Sequence, residues 1–143
     1  EQSDDPSLDM KPYLVYLLSR IEPSSLPPAV KLFREIDAAT LLREEAVAIG
    51  LYLNEAVSNA CKYAFPNDRS GTIAVFFQVR DGGWRFTIED DGVGDAAIPH
   101  PGGGLGSQLL TAFAAQASAT HHGGPVLNGY RSEMRKVLET EVA

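Results

Sequence analysis

Cysteine is almost absent from this chain of 143 residues: Cys61 stands alone. An intramolecular disulfide framework is therefore excluded, and a reducing, cytoplasmic setting fits best. Long apolar runs are missing too. None approaches the ~20 residues that a membrane-spanning helix needs, so direct membrane contact is not expected. Basic residues are scarce, with 12 Lys+Arg against 19 Asp+Glu and a formal net charge of −7. That balance argues against a nucleic-acid partner or an anionic membrane surface, both of which call for a basic patch. The three histidines, His100, His121 and His122, have no cysteine or carboxylate at zinc-ligand spacing. Glu1 to Pro6 is acidic and polar, unlike an intact signal peptide. Because the chain opens on Glu1 and not on Met, it reads as a piece of a longer protein.

What remains is the composition of one soluble domain, 44% hydrophobic and 22% charged. Glu1 to Leu8 reads as a disordered lead-in. Tyr13, Leu14, Tyr16, Leu17, Leu18 and Ile21 recur at helical spacing and predict a helix from about Leu8 to Ile21. Pro23, Ser24, Ser25, Pro27 and Pro28 should end it and form a linker. Ala29 to Ile36 alternates as a half-buried strand does. Leu41 to Ala64 is the longest helical pattern, with Thr40 as its expected cap and an apolar stripe from Leu42 to Ala60. Two strands, Thr72 to Val79 and Trp84 to Glu89, flank Arg80-Asp81-Gly82-Gly83, a hairpin turn by its glycines. A glycine-rich stretch from Asp90 to Gly106 precedes a helix over Ser107 to Ala117. Ala119 to Leu138 reads as a second hairpin, turning at His122-Gly123-Gly124-Pro125 or at Asn128-Gly129. Consecutive hairpins and separate helices predict an α+β fold. The expected form is a two-layer sandwich with a mixed, mostly antiparallel sheet and helices on one face.

Three segments carry residues suited to chemistry. On the long helix, Glu55 and Asn59 stand four apart and share a face, with Lys62 and Tyr63 continuing it. A carboxylate, an amide oxygen and an ammonium so grouped suit a water, a hard cation and a phosphate. Mg²⁺ keeps several waters, so one Asn oxygen with phosphate oxygens is a fitting shell. The second segment, Glu89-Asp90-Asp91-Gly92-Val93-Gly94, lies at a strand exit. There Asp90 can accept from an exocyclic amine, and the glycines let a flat ring approach. The third, Gly102-Gly103-Gly104-Leu105-Gly106-Ser107, opens a helix whose N–H groups attract phosphate. It is no Walker loop, since no Gly-Lys-Ser/Thr follows.

In this order the segments resemble the N, G1 and G2 boxes of the GHKL (Bergerat-fold) ATPases. The chain is most similar to the catalytic, ATP-binding domain of bacterial sensor histidine kinases, HWE-type included. Gly50-Leu51, Asn54-Glu55, Asn59-Ala60, Lys62 to Pro66, Gly71-Thr72-Ile73 and Leu109 to Gln116 carry that likeness, which spans roughly Val30 to Lys136. The resemblance implies that Asn59 coordinates the Mg²⁺ of Mg-ATP and that Glu55 orients a metal-bound water. Lys62 would meet phosphate and Tyr63 would lie near the nucleotide. Asp90 would bind the adenine amino group, with Gly92 and Gly94 in the pocket wall. Asp91 to Gly106 would form a flexible ATP lid, with Gly104, Leu105 and Gly106 on its phosphate side. Residues 1–28 would be a tail, a helix that could end a dimerisation helix, and a linker; residues 29–143 would be the catalytic domain.

The chain departs from the family where a Gly-Thr pair usually closes the pocket: Asn128-Gly129-Tyr130 stands there. Residues 1 to 99 also contain no histidine, so the phosphoacceptor helix is expected outside this chain. The partners implied are that dimerisation and phosphoacceptor domain, a response regulator, and a second copy of the parent in a homodimer. Two other readings share the motifs. One is an anti-sigma switch serine kinase, with a sigma factor and its antagonist as partners. The other is a pseudokinase interaction module whose pocket is impaired. Trp84 reads as packing, and Cys61 as a small buried filler.

Overall fold

The computed structural model describes residues 7–80, 82–93 and 105–137, without the side chains of residues 24, 25 and 105–107. Three helices cover one face of a five-stranded sheet. The elements in chain order are β1 (Ser7–Asp9), α1 (Met10–Ser25), β2 (Val30–Ile36), β3 (Thr40–Leu42), α2 (Arg43–Tyr63), β4 (Gly71–Arg80), β5 (Gly83–Asp90), α3 (Leu105–Gln116), β6 (Thr120–Val126) and β7 (Gly129–Val137). The large sheet runs β2-β4-β5-β7-β6, parallel between β2 and β4 and antiparallel elsewhere. Because α2 lies between β2 and β4, the chain crosses the sheet and returns in the same direction, as a parallel pair requires. The expected sandwich, with its mixed and mostly antiparallel sheet, is the fold observed.

One core lies between the layers. Strand alternation sends Ile73, Val75 and Phe77 of β4, and Trp84, Phe86 and Ile88 of β5, toward the helices, and all six are buried. Tyr52, Ile49, Leu53 and Val57 of α2 meet them. Trp84 packs beside Phe77, so its reading as a core residue holds. From α1, Met10, Leu14, Leu18 and Ile21 join the same core at the i, i+4, i+8, i+11 positions of an amphipathic helix. The apolar stripe of α1 is thus spent against α2. Gly50 marks the crossing: a Cβ there would come 2.8 Å from Tyr13 Oη and 3.2 Å from Leu17 Cδ1.

Several local expectations need correction. The helix α1 does not stop before Pro23 but carries it in its last turn and ends at Ser25. A proline so near the end removes only one helical hydrogen bond, which the helix can bear. Ser7 and Leu8, expected in a disordered lead-in, pair with Leu42 and Leu41 in a small antiparallel sheet of β1 and β3. Thr40 is not the cap of α2, because it belongs to β3 and its hydroxyl donates to Asp9. The first turn of α2 is secured instead by Glu45, whose carboxylate accepts the N–H of Leu42 and pairs with Lys136 on β7. At the other end of the chain, Val126 pairs with Gly129, so the second hairpin turns at Leu127-Asn128. The alternative turn, His122 to Pro125, is part of β6. As an edge strand, β6 tolerates Pro125, whose missing donor faces no neighbour.

Candidate functional site

The acid at the strand exit is the best-defined part of the site. Alternation along β5 places Asp90 on the helix-covered face, after Trp84, Phe86 and Ile88, and it is only 6% exposed. Its carboxylate accepts the backbone N–H of Gly92, at 2.9 Å, and that of Tyr130. Burial pushes its pKa above the usual carboxylate value, the two N–H donors pull the other way, and Asp91 and Glu89 add to the rise. Two donors leave a carboxylate spare acceptor capacity, since its oxygens offer about four lone-pair sites. One further amine is what this group can take.

Two glycines let the backbone close around it. A Cβ on Gly92 would meet Ala64 O at 2.3 Å, so the loop after β5 lies directly on the C-terminal end of α2. Val93 N–H donates to the same carbonyl at 2.9 Å. Gly129, at φ +143°, has a conformation that side chains rarely adopt, and a Cβ there would sit 1.8 Å from Asp90 O. The Asn128-Gly129-Tyr130 segment therefore abuts Asp90 directly. Tyr130 stands opposite Asp90 in the β5–β7 register.

Helix α2 contributes a polar stripe along one flank. Tyr52, Glu55, Asn59 and Tyr63 follow at spacings of three and four. Tyr52 fixes where that flank points, because its ring meets Phe86 edge-on and its hydroxyl lies 2.7 Å from His121 Nδ1 on β6. Glu55, Asn59 and Tyr63 are all half-buried on this stripe, and α3 packs against α2. Lys62 is exposed and borders a different hollow of about 440 Å³ between α1 and α2, with Asn54, Val57, Ser58 and Cys61. Leu105 and Gly106 form the first turn of α3, while Gly94 and Gly104, with most of the expected lid, lie outside the described residues.

Sequence reasoning missed the Tyr52–His121 pair. Burial raises the Tyr52 phenol far above its ordinary value, helped by Glu133 and Tyr130, so it stays protonated. Burial, helped by His122, lowers the pKa of His121, which favours the neutral ring beside the Tyr52 hydroxyl. A tyrosine inside an apolar stripe gives no signal of this partner 69 residues away. Cys61, expected as a buried filler, is half-buried. Burial and the nearby Asp90 charge raise its thiol, which leaves it a poor nucleophile.

A buried acid thus ends β5, and α2, which packs on that strand, carries an amide and a carboxylate. The family model of the histidine kinase-like ATPase domain matches residues 20–127. This chain belongs to that family. Among curated proteins, this histidine kinase-like ATPase domain is similar to blue-light-activated histidine kinase 2 of Erythrobacter litoralis (strain HTCC2594). The identity is 31% over 136 residues, covering 89% of this chain and 39% of the relative. The chain thus spans well under half of that protein. The histidine kinase domain of an Erythrobacter litoralis blue-light activated histidine kinase superposes with a TM-score of 0.77 at 26% identity, over 94% of this chain and 64% of that one. A mycobacterial sensor histidine kinase shares the fold, with a TM-score of 0.70 at 16% identity, covering 92% of this chain and 96% of that one. The resemblance read from the three boxes is the family found.

The donor set suits Mg-ATP. No group of three His, Cys, Asp or Glu side chains able to hold a metal exists among the described residues. One amide oxygen, with Glu55 one turn away, suits a cation held mainly by phosphate and water. Among the described residues, no helix is long and apolar enough to cross a membrane.

Proposed function

We propose that this domain binds Mg-ATP between α2, the exit of β5 and the start of α3, and presents the terminal phosphoryl group to a histidine on a dimerisation helix outside this chain. The observation that carries the reading is Asp90: a buried carboxylate, held by two backbone N–H groups, with acceptor capacity left for an amine. Buried carboxylates with perturbed pKa values cluster at binding sites, which supports this reading.

ATP, when bound, supplies the transferable phosphoryl group. Asp90 accepts a hydrogen bond from the adenine amino group, and Gly92 keeps the wall beside it thin, a role proposed for Gly94 as well. Asn59 offers its amide oxygen to Mg²⁺, and Glu55 orients a water at the cation. Lys62 neutralises phosphate charge from the end of α2, a task its long side chain suits from an exposed position. Tyr63 lies along the nucleotide. Leu105 and Gly106, in the first turn of α3, offer unpaired N–H groups to phosphate, a role proposed for Gly104 as well. These residues work by positioning and charge neutralisation, the two demands of phosphoryl transfer.

The similar proteins are named histidine kinases, which favours this reading over a switch serine kinase. A response regulator and a second copy of the parent complete the proposed setting. Incubating the full-length parent with labelled ATP tests it. The expected label is lost in acid and kept in base, as phosphohistidine requires. Acid-stable label would instead establish serine phosphorylation, and absence of label would support an impaired pseudokinase.

A further inference from the structure

We propose that the outer edge of β2 pairs antiparallel with β2 of a second copy of this chain, joining the two sheets edge to edge. The contact is separate from any dimerisation helix, and it uses neither Asn59 nor Asp90. Strand β2 ends the sheet, and its single strand neighbour among the described residues is β4. The ladder between them fixes which backbone groups the outer edge offers. Gly71 N–H donates to Ala29 O, and Asp37 N–H donates to Phe77 O. Alternate residues of a strand turn their N–H and C=O the same way, so Lys31, Phe33 and Glu35 face β4, as Ala29 and Asp37 do. Leu32 and Arg34 turn theirs outward, where an added strand would take them.

The side chains select that strand. Phe33, at the centre of Val30–Ile36, is 50% exposed, although its ring lies against Phe76 with centroids 5.9 Å apart. Lys31 and Glu35, both exposed, flank it two residues to either side on the same face. Among the described residues, neither these two nor Arg34 makes an ion pair within the chain. Charges on an edge ordinarily keep other strands away. A second β2 running the opposite way is the exception, because the pattern is complementary to its own reverse. With Phe33 on the two-fold axis, Lys31 stands opposite the second copy's Glu35, and Glu35 opposite its Lys31. These are non-hydrogen-bonded positions, where opposed side chains come closest, so the two Phe33 rings also meet. Leu32 and Arg34 exchange N–H···O bonds with the second copy's Arg34 and Leu32. On the helix-covered face Val30 meets Ile36. Backbone, charge and ring are thus matched in one register. Either neighbouring register sets Phe33 against Lys31 or Glu35. The contact is isologous, as a closed dimer requires.

Sedimentation equilibrium of this chain over a concentration series tests the proposal. The parent should dimerise within the range up to about 1 mM, the effective concentration that a short tether supplies. Glu35→Lys sets like charges opposite each other twice per dimer and should weaken it about tenfold or more, and Lys31→Glu should do the same. The double variant Lys31→Glu/Glu35→Lys restores opposite signs and should dimerise within about threefold of the parent. Arg34→Pro removes an outward N–H and spares the β4 ladder. Its circular dichroism should match the parent's while the dimer is lost. The charge swap, which leaves the backbone untouched, decides the matter even if the proline unfolds β2. A parent still monomeric at about 1 mM would overturn the inference. So would a double variant as weak as the single ones, or a folded Arg34→Pro variant that dimerises as the parent does.

Discussion

Replacing Asp90 by Asn separates what the residue does for binding from what it does for folding. In the folded chain, burial holds its proton more tightly than in the unfolded one, despite the N–H groups of Gly92 and Tyr130. A raised carboxyl pKa means that the folded state binds more protons. Stability from this group is therefore present at low pH and lost as pH rises through the folded pKa. At pH 7 the ionised carboxylate is a net cost to the fold. Asp90→Asn removes the charge and keeps an oxygen to accept from the two N–H groups. The variant should be as stable as the parent at pH 7, or more so, with a flatter pH dependence in the acid range. Its hold on Mg-ATP should weaken by about 1.5–3 kcal/mol, the worth of a charged hydrogen bond, which is roughly ten- to hundred-fold in Kd. Parent affinity should also fall as acid protonates Asp90, while that of the variant should not. Urea unfolding and calorimetric titration at matched pH give both quantities. A variant destabilised by several kcal/mol at pH 7 with unchanged affinity would refute the reasoning.

Asn59→Ala should abolish the Mg²⁺ dependence of nucleotide binding while leaving the unfolding free energy within about 1 kcal/mol, as befits a half-buried helix residue; titration with and without Mg²⁺ checks it. Gly129→Ala, at φ +143° and against Asp90 O, should cost about 3 kcal/mol or more, read from thermal unfolding. Glu45→Ala loses both the Leu42 N–H contact and the Lys136 pair, and should cost about 2–3 kcal/mol in the same measurement. His121 has a lowered pKa, so the unfolded chain binds the extra proton and stability falls as pH drops below the ordinary histidine value of 6.5. His121→Gln should remove most of that acid-side loss between pH 7.5 and 5.5, as measured by urea midpoints.

The parts of the fold legible in sequence were those with a long period. The stripes of α1 and α2 and the alternation of β4 and β5 repeat often enough to fix their type and buried face. The Gly82-Gly83 hairpin was legible because its turn chemistry is local. Strands β1 and β3, three residues each, are too short to show any period, and their partners lie far apart in the chain. Strand β6 reads Thr-His-His-Gly-Gly-Pro-Val, a turn by composition, and becomes a strand because β7 offers a free edge. At the site, Asp90 and Gly92 were legible because strand exit, acid and glycine are neighbours in the chain. The closeness of Gly129 to Asp90 and the Tyr52–His121 pair depend on sheet register, which no local pattern encodes.

A crystal structure of the domain with Mg²⁺ and a non-hydrolysable ATP analogue tests the central claim most directly. The account predicts the exocyclic amine within hydrogen-bond distance of the Asp90 carboxylate and Mg²⁺ on the Asn59 amide oxygen, in one continuous ligand. A nucleotide seated instead in the hollow between α1 and α2, with Asp90 and Asn59 both untouched, would contradict it.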